Sequence, residues 1–266
     1  RGALEFAQGR IEECVSSSEV ALSMFRDCDD REGATAAGRQ LALAKPDDPR
    51  VPGWLSDGLR LAAETGNPVH ERNALIPTAW SHFIRSHFGG ERYTAEAMEA
   101  AARLVRVSAE LGDATFVVQG HCIMAVLERL AGRIDSAARR VDQARSAARL
   151  VGPETETLVE ACNYMLLASR GAVTQPPPPP SEPTPLPLVA EKIIVDSMLL
   201  GGAVEEATAR FEISAIGVVA DASPFFARLV GTTRGTGLVL SGRDPEAIAT
   251  LQHALDGVRS VAMASG

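Results

Sequence analysis

The chain has 266 residues, of which 45% are hydrophobic, 23% are charged and only 5% are aromatic, with a formal net charge of −8. This composition excludes general disorder, and abundant alanine with few aromatics favours helices packed through small residues over a β-sandwich. The acidic balance argues against direct nucleic-acid binding, which needs clustered Lys and Arg, and against attraction to anionic lipid.

The compartment is indicated by what the chain does not contain. No apolar run reaches the roughly 18 residues of a membrane-spanning helix, and no signal peptide opens the chain. The cysteines lie far apart without a C-x-x-C pair, so we interpret Cys14, Cys28, Cys122 and Cys162 as small buried side chains. We therefore expect a cytoplasmic protein, and the start at Arg1 within a repeat indicates a fragment of a longer chain.

A turn glycine followed five residues later by a small residue occurs four times, beginning at Gly9, Gly132, Gly202 and Gly242. Beyond each small residue, apolar or small side chains recur at steps of four, three and four, which places them on one stripe of a helix. The stripes are Cys14, Ser18, Ala21 and Phe25; Ala137, Val141, Ala144 and Ala148; Ala207, Phe211, Ser214 and Val218; and Ala247, Leu251, Ala254 and Val258.

Two weaker copies lie between the first and second of these stripes. Their members are Leu55, Leu59 and Ala62, and then Ala97, Ala101, Leu104 and Ser108, the second set following a longer turn over residues 88–94. Turn glycines are separated by 42 residues from 90 to 132, by 39 from 132 to 171 and by 40 from 202 to 242. A two-helix period near 40 is typical of a solenoid. We predict an all-α fold, a right-handed α-solenoid of about six antiparallel helix pairs.

A proline-rich segment interrupts this pattern between Gly171 and Leu186, with five consecutive prolines at its centre. Proline removes a backbone donor and clashes with the preceding turn, so the segment is predicted to be extended polyproline II or disordered, in place of one second helix. The predicted organisation is repeats over 1–171, a proline-rich crossover or linker over 172–186 and repeats over 187–266. The prolines could be a semi-rigid spacer or a ligand for an SH3-like or WW-like groove.

The residues that could carry chemistry do not form a known constellation. His82 and His87 are five residues apart, which on a helix points them about 140° apart and prevents a shared metal site. The glycine-rich stretch 231–237 lacks the Gly-Lys-Ser/Thr ending of a phosphate-binding loop, and no Gly-x-Ser-x-Gly elbow is present. We predict no catalytic residue, no cofactor and no metal.

The pattern of a turn glycine, a small residue five positions later and a helical stripe of apolar residues resembles the second helix of tetratricopeptide repeats. Gly2, Gly235 and Ala125 each lie seven residues before a turn glycine, where that family prefers a small residue for close helix crossing. The period departs from the family's 34 residues, and Tyr164 and Val195 occupy the small position in two copies.

Two helix ends extend this resemblance to a bacterial subgroup. They are Glu64-Thr-Gly-Asn-Pro68 and Glu110-Leu-Gly-Asp113. They are similar to the repeats behind the ATPase modules of LuxR-type and antibiotic-regulator-type transcription factors, and of ATPase-linked nucleotide cyclases. The resemblance implies a non-catalytic protein-interaction and regulatory module of a larger bacterial signalling or transcription regulator.

A solenoid of this kind presents a concave groove lined by the first helix of each pair. Projecting the repeat frame gives twelve inward positions: Gln40, His82, Ser86, Gln119, Cys122, Arg129, Met165, Ser169, Lys192, Asp196, Thr232 and Thr236. We predict that they bind a protein or peptide, or another domain of the parent chain. The alternatives are a small-molecule effector in the same groove and an all-helical enzyme.

Overall fold

A computed structural model describes residues 1–7, 10–45, 48–89, 91–172, 175–179, 185–213, 224–252 and 254. These residues form helices joined by turns and contain no β-strand, which confirms the all-α prediction for this part of the chain. The chain divides into two compact units, Arg1–Thr155 and Glu156–Gly266. The predicted division into repeats over 1–171, a crossover over 172–186 and repeats over 187–266 stays a prediction.

The described residues of the first unit form eight complete helices. They are α1 (Gly2–Ala7), α2 (Ile11–Asp27), α3 (Arg31–Ala44), α4 (Val51–Thr65), α5 (Pro68–Gly89), α6 (Glu91–Glu110), α7 (Ala114–Leu130) and α8 (Ile134–Ala148). Each helix contacts the next in the chain, and α1 contacts α3, α3 contacts α5, and α5 contacts α7. The odd-numbered helices therefore lie side by side in one layer.

Two of the stripes that the sequence predicts, those on α6 and α8, lie fully in the core of this unit. On α8 the side chains of Ala137, Val141, Ala144 and Ala148 are all buried, and on α6 those of Ala97, Ala101, Leu104 and Ser108 are too. The rest of α8 is mostly polar, so one face contacts protein and the other contacts water. In contrast, every residue of α7 from Val118 to Glu128 is buried.

One backbone motif recurs at the C-terminal ends of five of the described helices. Gly112, Gly132, Gly171, Gly202 and Gly242 all have φ between 70° and 85°. At Gly132, its own N–H donates to the Arg129 carbonyl and the Arg133 N–H donates to the Glu128 carbonyl, both at 2.9 Å. These are the two hydrogen bonds of a Schellman motif, which glycine favours because it adopts positive φ without steric cost. Gly9 and Gly90 lie outside the described residues.

Two sequence expectations about local structure are wrong. The longer turn predicted over 88–94 is largely helical, since α5 extends to Gly89 and α6 begins at Glu91. Within this stretch only the two glycines have a low helix propensity, so the rest of it can continue the neighbouring helices. Cys28 is exposed, whereas Cys14, Cys122 and Cys162 are buried as predicted. Cys28 follows the last residue of α2 and is the C-cap of that helix.

The second unit contains α9 (Pro153–Ser169, which starts at the boundary), α10 (Pro185–Leu200), α11 (Val204–Ile213) and α12 (Pro224–Leu240). Residues 244–252 are also helical, and residues 175–179 of the proline-rich crossover lie in neither helix nor strand. α10 contacts α11 and α12, and α11 contacts α12. Helical structure resumes at Pro185, one residue before the predicted point, because proline is tolerated in the first turn of a helix.

No helix within the described ranges combines the length and apolar character that crossing a bilayer requires.

Candidate functional site

Of the predicted groove positions, His82 has the most distinctive surroundings. It is half-buried on α5, its ring stacks on Tyr93 with centroids 6.1 Å apart, and its Nδ1 lies 3.2 Å from Glu96 Oε2 on α6. That pair satisfies the distance for an ion pair but not the geometry of a hydrogen bond. Burial lowers the pKa of His82, and Arg85 and Arg92 lower it further, while the Glu96 carboxylate opposes them. The imidazole is therefore held neutral near pH 7.

The neighbours of His82 form a connected polar cluster at the α5–α6 junction. Arg85 lies over the Tyr93 ring, 5.9 Å from its centroid. Arg92 donates from Nε to Glu96 Oε1 at 3.0 Å, and its side chain is exposed. A neutral imidazole, a phenol ring and two guanidinium groups can recognise acidic or aromatic groups of a partner.

Gln119 performs a structural task. It is buried on α7, where its Oε1 accepts a hydrogen bond of 2.9 Å from Trp80 Nε1 on α5. A buried indole N–H needs such an acceptor, so this contact fixes the two odd-numbered helices against each other. Cys122, one turn further along α7, is also buried.

The other predicted positions in the first unit are half-buried. Gln40 on α3 donates weakly to Cys14 Sγ at 3.6 Å, and Ser86 Oγ donates to the Phe83 carbonyl at 2.6 Å. Arg129 lies at the end of α7. Gln40, His82 and Ser86 are thus partly accessible on adjacent helices of the odd-numbered layer, α3 and α5.

In the second unit the structure brings Lys192 and Asp196 together. Lys192 Nζ lies 2.5 Å from Asp196 Oδ2, and Thr233 Oγ1 on α12 donates to Asp196 Oδ1 at 2.7 Å. The sequence projection selected Thr232 and Thr236 on that helix, but Thr236 is exposed and Thr233 is the buried residue that reaches α10. The projection did not select Thr233, because it selects positions that face the groove, whereas Thr233 contacts the neighbouring helix α10.

The remaining two positions, Met165 and Ser169, lie on α9. Met165 is buried, and Ser169 Oγ donates to the Met165 carbonyl at 2.7 Å. The stretch 231–237 lies inside α12 and is helical rather than a loop. A Cβ placed on Gly235 would lie 2.4 Å from Leu251 Cδ2, so Gly235 serves the close helix crossing predicted for it.

One polar site was not anticipated. Arg210 on α11 and Glu191 on α10 form a buried ion pair, with the Arg210 and Glu191 side chains 8% and 0% exposed. Arg210 also donates to the carbonyl of Pro177 in the proline run. The available signal was Glu191, one of two acidic residues in the otherwise mostly apolar helix α10, since a charge in such a sequence indicates the need for a buried partner.

Within the described residues, no group of three His, Cys, Asp or Glu side chains is arranged to hold a metal ion. His253 and the side chain of His87 lie outside that description.

No protein-family model matches this chain, and no curated protein matches it as a relative.

Proposed function

We propose that the chain is a non-catalytic protein-interaction and regulatory module. In this proposal it is a right-handed α-solenoid of about six antiparallel helix pairs with a period near 40 residues, resembling tetratricopeptide repeats. The observation that carries the proposal is the row of contacts α1–α3, α3–α5 and α5–α7, which forms one layer of neighbouring helices in the first unit. Such layers provide the extended binding surfaces of repeat proteins.

The binding surface is assigned to the half-buried polar residues of this layer, Gln40, His82, Ser86 and Arg129. They are partly accessible, whereas Gln119 is buried and its side-chain oxygen accepts a hydrogen bond from Trp80. An extended peptide or a helix of a partner would contact several of them at once. The partner is a protein or peptide, or another domain of a larger bacterial signalling or transcription regulator, in the cytoplasm.

Site-specific photo-crosslinking tests this proposal. In two test samples a photoreactive phenylalanine replaces Ser86 or Gln40. In the control sample it replaces Arg139, which is exposed on the outer face of α8. The same discrete protein adduct from Ser86 and Gln40, but not from Arg139, supports the proposal. Equal adducts from Arg139, or none from Ser86 and Gln40, contradict it.

A second candidate function, binding of a small-molecule effector, is favoured by one concavity. A hollow of about 400 Å³ in the first unit is lined by Arg72, Asp113, Leu150 and Val151, among others. That volume falls within the roughly 300–1,000 Å³ of typical ligand pockets. A metabolite that raises the melting temperature of the chain, and fails to do so in Arg72→Ala, would favour this candidate over peptide binding.

A further inference from the structure

The proline run is attached to the second unit through a buried guanidinium. Arg210 Nε lies 2.7 Å from Glu191 Oε1, and Arg210 Nη2 lies 2.6 Å from Glu191 Oε2. This bidentate geometry neutralises two charges that are both withdrawn from water. It also fixes the plane of the guanidinium, so the direction of its remaining N–H groups is set.

The third nitrogen of Arg210 faces the prolines. Nη1 donates to the Pro177 carbonyl at 2.5 Å. Pro176 and Pro177 are half-buried, whereas Gln175 before them and Pro178 and Pro179 after them are exposed. The run is therefore partly buried at this pair of residues, while Pro178 and Pro179 face solvent.

A proline carbonyl suits this donor for two reasons. In an extended polyproline segment the carbonyls make no internal hydrogen bonds, so each is a free acceptor, unlike the carbonyls inside a helix. The segment is also already stiff, so docking it loses little conformational entropy. Without that acceptor, Arg210 would keep a buried N–H donor unsatisfied, which is unfavourable.

We infer that the second unit carries a binding site for proline-rich extended segments, with Arg210 as its hydrogen-bond donor. The chain's own Pro176 and Pro177 occupy this site. In this inference the prolines are a ligand that their own chain binds. This differs from both earlier alternatives, an unbound spacer and a ligand for the SH3-like or WW-like groove of another protein.

Peptide binding to an emptied site tests the inference. In the full chain, residues 176–180 are replaced by Gly and Ser, and a fluorescent peptide with the sequence of residues 174–185 is added. The emptied chain should bind this peptide, and the unmodified chain should bind it at least tenfold more weakly because its site is filled. A peptide with alanine at every proline should also bind at least tenfold more weakly.

The variant Arg210→Lys, added to the emptied chain, should weaken peptide binding at least tenfold. Lysine keeps the charge opposite Glu191 but lacks the planar fork that serves both acceptors. Exposed Arg234→Lys on α12 is the matched control and should bind like the emptied chain. If the emptied chain keeps its helical circular dichroism but does not bind, or if Arg210→Lys binds equally well, the inference is overturned.

A second measurement applies if the emptied chain does not fold. A spin label is attached at Gln175→Cys in the intact chain, with exposed Cys28 changed to Ser. The label spectrum should narrow markedly in Arg210→Lys as the run is released, and should not change in Arg234→Lys. An unchanged spectrum in Arg210→Lys would show that the contact does not hold the prolines.

Discussion

At the scale of single residues, the least expected features are polar groups without a hydrogen-bond partner inside the helix layers. His121 on α7 is buried, and its Nδ1 has no hydrogen-bond partner within the described chain. Burial lowers its pKa from 6.5 to about 4, and Arg140 adds to the effect. The sequence shows that His121 lies in an apolar stretch of a helix. It does not show that His121 is buried, because burial depends on the neighbouring helices that pack against it.

His121 predicts a pH dependence of folding. Its folded-state pKa lies below the unfolded value of 6.5, so the folded chain binds fewer protons and is destabilised as the pH falls from 6.5 toward 4. From pH 7 to pH 4.5 the loss from this group is about 2 to 3 kcal/mol. The free energy of unfolding, measured with denaturant at both pH values, should fall by that much more in the unmodified chain than in His121→Gln. Equal losses in both chains would contradict the assignment.

Gly235 predicts a steric effect. Its missing side chain leaves space that Leu251 Cδ2 and Cγ fill, at 2.4 and 2.5 Å from an added Cβ. Gly235→Ala should therefore destabilise the chain by about 1–3 kcal/mol through overpacking. Gly237→Ala is the control on the same helix, because its Cβ would meet ordinary contacts at 3.5 Å or more. Thermal unfolding compares them, and equal melting temperatures would count against the close crossing.

At the scale of elements, the turns explain why the helix boundaries were predictable where glycine marks them. The turn after α2 uses the same hydrogen bonds without a glycine, since Asp29 has φ 56° and the Asp30 N–H donates to the Phe25 carbonyl. Asp30 Oδ1 then accepts from the Gly33 N–H and caps α3. A glycine-based pattern cannot find this turn, because the physical requirement is positive φ rather than glycine itself.

These two kinds of turn predict opposite effects of substitution. Gly132→Ala should destabilise the chain by about 1 kcal/mol, because alanine is strained at φ 75° and no atom contacts its Cβ. Asp29→Gly should relieve strain and stabilise it by about 0.5 kcal/mol, after the entropy of the unfolded glycine is subtracted. Urea denaturation measures both, and effects of the same sign would be inconsistent with shared turn geometry.

At the scale of the whole molecule, the sequence predicted the helical class because its hydrophobic stripes repeat at helical spacing. It also predicted the proline interruption, since no helix accommodates five consecutive prolines. It could not predict the Arg210–Glu191 pair, whose members are 19 residues apart and meet only when α10 packs against α11. The candidate binding positions were predicted from their places in the repeat, but the sequence does not show how exposed each one is, because exposure depends on how the helices pack. Gln40 and His82 are half-buried, while Gln119 and Met165 are buried.

We propose above all that the layer of odd-numbered helices binds a partner. Hydrogen–deuterium exchange of the intact chain, with and without the protein captured by crosslinking, tests it most directly. We predict slower exchange in peptides from α3 and the C-terminal half of α5, where Gln40, His82 and Ser86 lie. Protection confined to the outer faces of α4, α6 and α8, or no protection in any helix, would contradict it.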